Sequence, residues 1–240
     1  MNTAMILSAG HGTRLKKYTK KTPKPMIQLS GKPLLEYTIE HLLKFGINNI
    51  IINLHYLSDE ITSYFKDGSK WGIKILYTYE KILLGTAGAV KNAANYLKDS
   101  DDFLVLYGDV ICNENYKDFI NFHKSKKNAV ASIMIHKRKG SNSIVKIDHE
   151  NKIIKFLERP DGKINGIGQN WVNSGLYSFN KKVLEYIPPE VFCDFPRDIF
   201  PVLVSEGSLY GYRLKGYRCS IDSPERYMKA QNDLRKKIFD

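Results

Sequence analysis

Leu7-Ser8-Ala9-Gly10-His11-Gly12-Thr13-Arg14-Leu15, followed by Pro23-Lys24-Pro25-Met26, is the stretch whose reading decides the fold. Ahead of it, Ala4-Met5-Ile6-Leu7 is a short apolar run of the kind that forms a buried strand. The strand breaks into Ser8, Ala9, Gly10 and Gly12, small residues that let a backbone turn tightly and approach a ligand closely. From Met1 to Leu35 there is no acid, while Arg14, Lys16, Lys17, Lys20, Lys21, Lys24 and Lys32 all fall in that span. A small-residue loop after a strand, with exposed backbone N–H groups in a field of cations, suits a polyphosphate.

Two common phosphate loops are excluded. No Gly-Lys-Ser/Thr follows at the spacing of a Walker loop, and Gly10-His11-Gly12 lacks the third glycine of the dinucleotide fingerprint. The stretch instead resembles the signature of the nucleoside-diphosphate-sugar pyrophosphorylases, the sugar-1-phosphate nucleotidyltransferases. Their pattern is roughly Leu-Ala-Gly-Gly-x-Gly-Thr-Arg-Leu with Pro-Lys-Pro-Met about ten residues on. Ala9 stands at the first glycine of that pattern.

Composition agrees with one soluble α/β domain. A chain of 240 residues buries one substantial core, and 42% hydrophobic content is ordinary for a globular protein. No run reaches the length of a membrane span and no secretory leader is visible, so a cytoplasmic protein is expected. Cys112, Cys193 and Cys219 are scattered without metal-ligand spacing and read as reduced thiols. The net charge of +12 raises nucleic acid as a partner. Acids interleave with lysines after Leu35 and no aromatic-basic motif occurs, so an anionic small substrate accounts for it better. Neither nucleic acid nor a membrane is expected as a partner; homodimer formation is left open.

Strand and helix alternate through the first 128 residues. Leu35, Ile39, Leu42 and Leu43 trace one helix face ended by Gly46, and Asn49–Leu54 is a buried strand. A helix opens at Ser58-Asp59-Glu60 and closes at Asp67-Gly68. Ile73–Tyr79 is a strand, Ala87–Leu97 a helix, and Asp102–Tyr107 a strand ending at Gly108-Asp109. That alternation predicts a Rossmann-like, doubly wound mixed sheet with a crevice at the strand C-termini. After Asn128 the pattern turns to strands: Ala129–His136, Ile144–Ile147, Ile153–Phe156 and Val172–Phe179. Helices are expected at Lys181–Ile187 and Asp194–Val204, late strands at Leu209–Leu214 and Tyr217–Ile221, and a last helix from Ser223-Pro224-Glu225. The reading is one domain over residues 1–240, with a nucleotide half to about 128 and an acceptor half beyond.

The resemblance implies a GT-A-like nucleotidyltransferase core and assigns roles along nearly the whole chain, from about Met1 to Asp233. Leu7, Ser8, Ala9, Gly10, His11, Gly12 and Thr13 would cradle an NTP, with Arg14 on its β,γ-phosphates and Lys24 over the α-phosphate. His11, at a variable position, reads as solvent-facing. Leu84-Gly85-Thr86-Ala87-Gly88 matches the second nucleotide motif, closest to the mannose-1-phosphate guanylyltransferase-like branch; read as plain sequence it is a helix start capped by Thr86. Glu80 stands where the family touches the base edge, which favours GTP, with CTP as the alternative. Asp109 resembles the family's Mg²⁺-binding aspartate, with Gly108 beside it on the acceptor side.

The acceptor half departs further from the pattern. Glu158, Arg159, Asn173 and Gly175 would seat the acceptor, Arg159 standing where relatives have Lys and Asn142-Ser143 where many have Tyr-Gly. The second metal aspartate of the family falls on Ser220, with Asp222 two residues on as its substitute or as the cap of the last helix. The implied activity joins an NTP to a sugar 1-phosphate or similar acceptor, releasing pyrophosphate, for cell-surface glycan or capsule precursors. The rival is a non-catalytic nucleotide-binding relative.

Overall fold

A computed structural model of the chain describes residues 1–141, 143–158 and 169–236. In chain order the elements are β1 (Thr3–Leu7), α1 (Lys16–Thr19), β2 (Gln28–Leu29), β3 (Lys32–Pro33), α2 (Leu34–Lys44), β4 (Asn49–Leu54), α3 (Ser58–Phe65) and β5 (Lys74–Tyr79). They continue with α4 (Gly85–Asn92), α5 (Ala94–Leu97), β6 (Asp102–Tyr107), β7 (Val110–Cys112), α6 (Tyr116–Ser125), β8 (Ala131–Lys139), β9 (Ile144–Ile147) and β10 (Ile153–Leu157). The last are β11 (Gln169–Asn180), α7 (Phe200–Ser205), β12 (Leu209–Arg213), β13 (Arg218–Ser220) and α8 (Pro224–Arg235). The fold is α/β with mixed strand pairing, as the alternation predicts.

The contacts group into two compact units: Met1–Leu83 with Leu106–Tyr116 and Lys215–Asp240, and Leu84–Val105 with Lys117–Leu214. In the first, β1, β4 and β5 run parallel, with Leu7 opposite Asn53 and Asn53 opposite Thr78. β1 and β4 are aliphatic at their centres, with Met5, Ile6, Ile51 and Ile52 buried, while β5 at the edge exposes Lys74 and Tyr79. Their C-terminal ends therefore fall at one level, and that level carries Ser8, His55 and Glu80. A second core gathers Leu15, Ile27, Leu29, Leu34, Ile111, Cys219, Ile221 and Ala230. It fixes the loop after β1 against β7, β13 and α8. The β7–β13 ladder is antiparallel, Arg218 opposite Cys112 and Ser220 opposite Val110. Glu114, buried just beyond β7, locks that ladder by accepting from the backbone N–H groups of Lys215 at 2.6 Å and Gly216 at 2.8 Å.

In the second unit β11 pairs antiparallel with β8, β10 pairs antiparallel with β9, and β12 joins β8 in parallel. Phe195, Phe200, Tyr177 and Phe179 fill its centre, Phe179 and Phe195 stacked at 4.6 Å. Three local expectations need correcting. The helix expected over Ala87–Leu97 is broken at Ala93 into α4 and α5. Lys181–Glu185 is a 3₁₀ turn, started by Asn180, whose side chain accepts from the Lys182 N–H. The Asp194–Val204 helix begins as a π turn over Phe195–Ile199, with Pro196 in its first turn, before α7 proper. Helices α1 and α6 and strands β2, β3 and β7 have no counterpart in the sequence reading. The two-residue strands are too short for a period to register, whereas α6 carries Tyr116, Phe119, Ile120 and His123 at helical spacing and was open to a sequence reading.

Candidate functional site

The loop after β1 is held at three points. The Ser8 N–H donates to Asn53 Oδ1 at 2.7 Å, the Thr19 hydroxyl donates to the Gly12 carbonyl at 3.1 Å, and the Leu15 N–H returns to the same carbonyl at 2.9 Å. Gly12 has φ +64°, and a Cβ there would meet Thr19 and Lys24 side-chain atoms at 3.0–3.1 Å, so its conformation and its neighbours both require glycine. At Gly10 the opposite holds: a Cβ would have no protein atom within 4 Å. Glycine at position 10 keeps the outer face of the loop bare. The His11 ring lies edge-on to His55 at 5.1 Å and also faces Tyr56. Ala9 and Ser8 are buried, while Thr13 and Arg14 are exposed.

Lys24 sits in a short 3₁₀ turn, Lys24–Met26, between buried Pro23 and Pro25. Proline on each side fixes the backbone, so the lysine stem is aimed with little entropy left to lose. Its ammonium ends on the Asp109 carboxylate. Asp109 follows β6; its carbonyl accepts from the Ile221 N–H at 2.8 Å, which ties it to the tract leading into α8. One residue on, Asp222 takes Arg14 on Oδ2 at 3.4 Å and Arg226, one turn later on α8, on Oδ1 at 3.1 Å. Both carboxylates thus stand against cations, and Ser220 is buried in the β13 ladder. Burial lowers the pKa of the Arg218 guanidinium on β13, and Asp109 opposes that loss. Gly108 lies flush on the start of the loop. Its N–H donates to the Leu7 carbonyl at 2.9 Å, and a Cβ there would fall 2.7 Å from Ser8 Oγ.

Glu80, at the end of β5, is buried and accepts from Asn53 Nδ2 at 2.6 Å. Leu7 through Arg14, Lys24, Glu80, Gly108, Asp109 and Asp222 therefore all belong to the first unit, along the ends of its strands. In the second unit Gly85 opens α4 with φ +76°, and a Cβ there would lie 2.5 Å from the Cys193 carbonyl oxygen. That carbonyl accepts from the Ala87 and Gly88 N–H groups at 2.9 and 3.0 Å. Thr86 gives its hydroxyl to Asp194 at 2.5 Å and accepts from the Phe195 N–H at 2.9 Å. Glycines at 85 and 88 allow the close seat of the irregular segment at Cys193. Asn173 on β11 donates to the Tyr177 hydroxyl at 2.8 Å and accepts from the Gly175 N–H at 3.0 Å, with Gly175 at φ +78°. Glu158 is half-buried at the end of β10. Arg159 and Asn142 lie outside the described residues.

The sequence reading missed Asn53, Arg226 and Arg218. A signal existed for the first: one amide near the end of an otherwise aliphatic strand, Ile50-Ile51-Ile52-Asn53. The second unit also assembles Ser132, His123 and Asp102, with Ser132 Oγ 2.9 Å from Nδ1 and Asp102 Oδ1 3.7 Å from Nε2. Ser132 is wholly inaccessible, so no substrate reaches it and the chain is structural. The His123 hydrogen bond holds the Asp102 carboxyl below its ordinary pKa, with Asn180 adding to the effect. Among the described residues no group of three or more His, Cys, Asp or Glu is placed to hold a metal, and no helix is long and apolar enough to cross a membrane.

Residues 3–237 match the family model described as nucleotidyl transferase. The mannose-1-phosphate guanylyltransferase catalytic subunit beta of Dictyostelium discoideum is 32% identical, the match covering 98% of this chain and 66% of that protein. The UTP–glucose-1-phosphate uridylyltransferase of a Synechocystis species is 34% identical over 85% of this chain and 55% of its own length. The chain thus spans about two thirds or less of these curated relatives. The crystal structure of HddC from Yersinia pseudotuberculosis superposes with a TM-score of 0.81 at 32% identity, covering 98% of this chain and 100% of that one. Its complex with GMP-PN gives 0.79 at 31% identity over the same shares.

Proposed function

The chain belongs to the nucleotidyl transferase family, and from that premise we propose that it joins an NTP, GTP foremost, to a sugar 1-phosphate or similar phosphorylated acceptor, releasing pyrophosphate. The observation that carries this is the Lys24–Asp109 pair beside a loop whose outer face is bare at Gly10. Attack of the acceptor phosphate oxygen on the α-phosphorus displaces pyrophosphate in line and needs no enzyme nucleophile, so positioning and charge neutralisation are what the protein supplies. The Gly10–Thr13 N–H groups and Arg14 serve the β,γ-phosphates. Lys24, aimed by its two prolines, stabilises charge growing at the α-phosphoryl group.

Asp109 fits Mg²⁺: a hard oxygen donor at a strand end, one carboxylate being enough for an ion that completes its shell with phosphate oxygens and water. Mg²⁺ held there would supply charge shielding for the phosphates, and the Lys24 ammonium would have to leave the Asp109 carboxylate to admit it. Asp222 faces Arg14 and Arg226, which supports a role holding Arg14 in register; a place beside Asp109 on the metal would likewise require both guanidiniums to let go. Glu80, an acceptor at a strand end, supports guanine, whose N1–H and N2–H₂ edge donates. The GMP-PN named with HddC points the same way, while the uridylyltransferase among the relatives keeps pyrimidines in the test. Glu158, Arg159, Asn173 and Gly175 are assigned to the acceptor, with NTP and acceptor as the partners in a cytoplasmic, single-domain enzyme.

The test is a thermal-shift panel of GTP, CTP, UTP, dTTP and ATP with and without Mg²⁺, followed by pyrophosphate release with sugar 1-phosphates. A ligand at a hundred times its Kd adds about 2.7 kcal/mol, enough to rank the bases. GTP with Mg²⁺ is expected to lead. No shift with any nucleotide would sink the proposal.

A further inference from the structure

We propose that Asn53 is a positioning residue, a relay that ties the phosphate loop to the base-reading carboxylate and so sets nucleotide selectivity. The proposal rests on the functional reading above and adds a residue to it. Ser8, Asn53 and Glu80 stand on three neighbouring parallel strands, and the register puts Leu7 directly opposite Asn53. All three are at most 6% exposed, so water competes little for their hydrogen bonds.

The chemistry of the chain is one-directional. A backbone N–H only donates, so the Ser8 N–H at 2.7 Å fixes Oδ1 of Asn53 on its side. The amide nitrogen must then face Glu80, and Nδ2 donates to Oε1 at 2.6 Å. The main chain of Glu80 is held as well: His55 Nδ1 donates to its carbonyl oxygen at 2.7 Å, and the Glu80 N–H donates to the Leu54 carbonyl at 2.9 Å. The carboxylate is thereby presented in one orientation, set by the same amide that sets the first N–H of the phosphate loop. Bound base and bound phosphates are registered to each other through a single side chain.

Two substitutions separate the two halves of the relay. Asn53→Asp keeps an oxygen for the Ser8 N–H but turns the donor toward Glu80 into a second buried carboxylate. Two such groups at this distance share a proton, so one pKa of the pair rises. Asn53→Ala removes both links. Affinities for GTP, ATP, CTP and UTP with Mg²⁺ would be measured by titration calorimetry from pH 5.5 to 8.5 on both variants and on the wild-type chain. The wild type controls for His55, whose Nδ1 meets the Glu80 carbonyl, for His11 in ring contact with His55, and for Tyr56 in ring contact with His11.

The expected result for Asn53→Asp is a loss of at least about tenfold in base preference at pH 8, recovering toward acid pH as the shared proton rebuilds the hydrogen bond. Asn53→Ala is expected to weaken all four nucleotides and to flatten preference at every pH. Wild-type preference in both variants, with no pH recovery in Asn53→Asp, would overturn the relay while leaving nucleotide binding intact. Should Asn53→Asp fail to fold, unchanged preference in Asn53→Ala overturns it alone. Absence of binding by the wild-type chain would overturn the functional reading, and the relay with it.

Discussion

Gly10 and Gly85 look alike in the sequence, each the first glycine of a small-residue run between a strand and a helix, yet the structure gives them opposite reasons. Among the described residues nothing lies within 4 Å of a Cβ at Gly10, whereas a Cβ at Gly85 would overlap the Cys193 carbonyl and has to take a left-handed backbone as well. The first unit keeps its loop bare toward the outside. The second uses the same residue type to let two pieces of its own backbone touch. A glycine motif therefore has two readings that only packing separates, and only the first loop has Arg14 and Lys24 set against carboxylates beside it.

The largest effect that sharpens this contrast is on chemistry. Lys24→Ala is expected to lower kcat by roughly 10²–10³-fold, the loss typical of one preorganised charge on a transition state. Asp109, the partner it leaves, is 23% exposed and solvated, so circular dichroism should find the fold unchanged. Near-normal turnover would remove the ligand-facing reading of the loop. Next come the two glycines themselves. Gly85→Ala should cost about 2–4 kcal/mol in denaturant unfolding, from left-handed strain plus overlap with backbone. Gly10→Ala should leave the unfolding midpoint in place while weakening NTP affinity. Reversal of that pattern breaks the comparison outright.

A pH effect follows at smaller size. Burial lowers the pKa of His41 from its ordinary 6.5, against the opposing pull of its hydrogen bond to the Glu114 carbonyl. The unfolded chain then takes the proton first, so this contribution is complete above about pH 6.5 and is lost as pH falls below it. Melting temperatures at pH 7.5 and 5.5 should differ less in His41→Gln than in the wild type. The smallest change is expected at Ser8, whose hydroxyl is buried without a hydrogen-bond partner. Ser8→Ala should be neutral or stabilising by up to about 1 kcal/mol, since it removes an unpaired polar group.

Much of the first unit was legible because parallel strands buried on both faces announce themselves as aliphatic runs. Asn49–Leu54 in the first unit was found at its observed bounds for that reason, as was Asp102–Tyr107, which runs between the two units' tracts of chain. Lys24 and Arg14 stand out in the sequence because acids are missing around them, and the fold sets each against a carboxylate from far along the chain. What could not be read was pairing across distance. Arg226 sits on an ordinary amphipathic helix, and only the fold puts its guanidinium on Asp222. Asn53 reads as a strand-end amide until the parallel register places it between Ser8 and Glu80. Gly85–Gly88 was read for a base, and no sequence feature announces Cys193 as its neighbour. The Phe195–Ile199 π turn escaped because its hydrophobic spacing is that of a helix.

The β7–β13 ladder has a consequence for how the protein is made. The first unit is written in three tracts of chain, and the third arrives only after the second unit's Lys117–Leu214 has been synthesised. At about 10 residues per second, that interval is on the order of ten seconds. Throughout it β7, whose one ladder partner among the described strands is β13, presents an open edge of apolar Val110-Ile111-Cys112 beside Asp109. The nascent chain is thus open to mispairing at β7, and that edge closes only once the tract carrying β13 has been made.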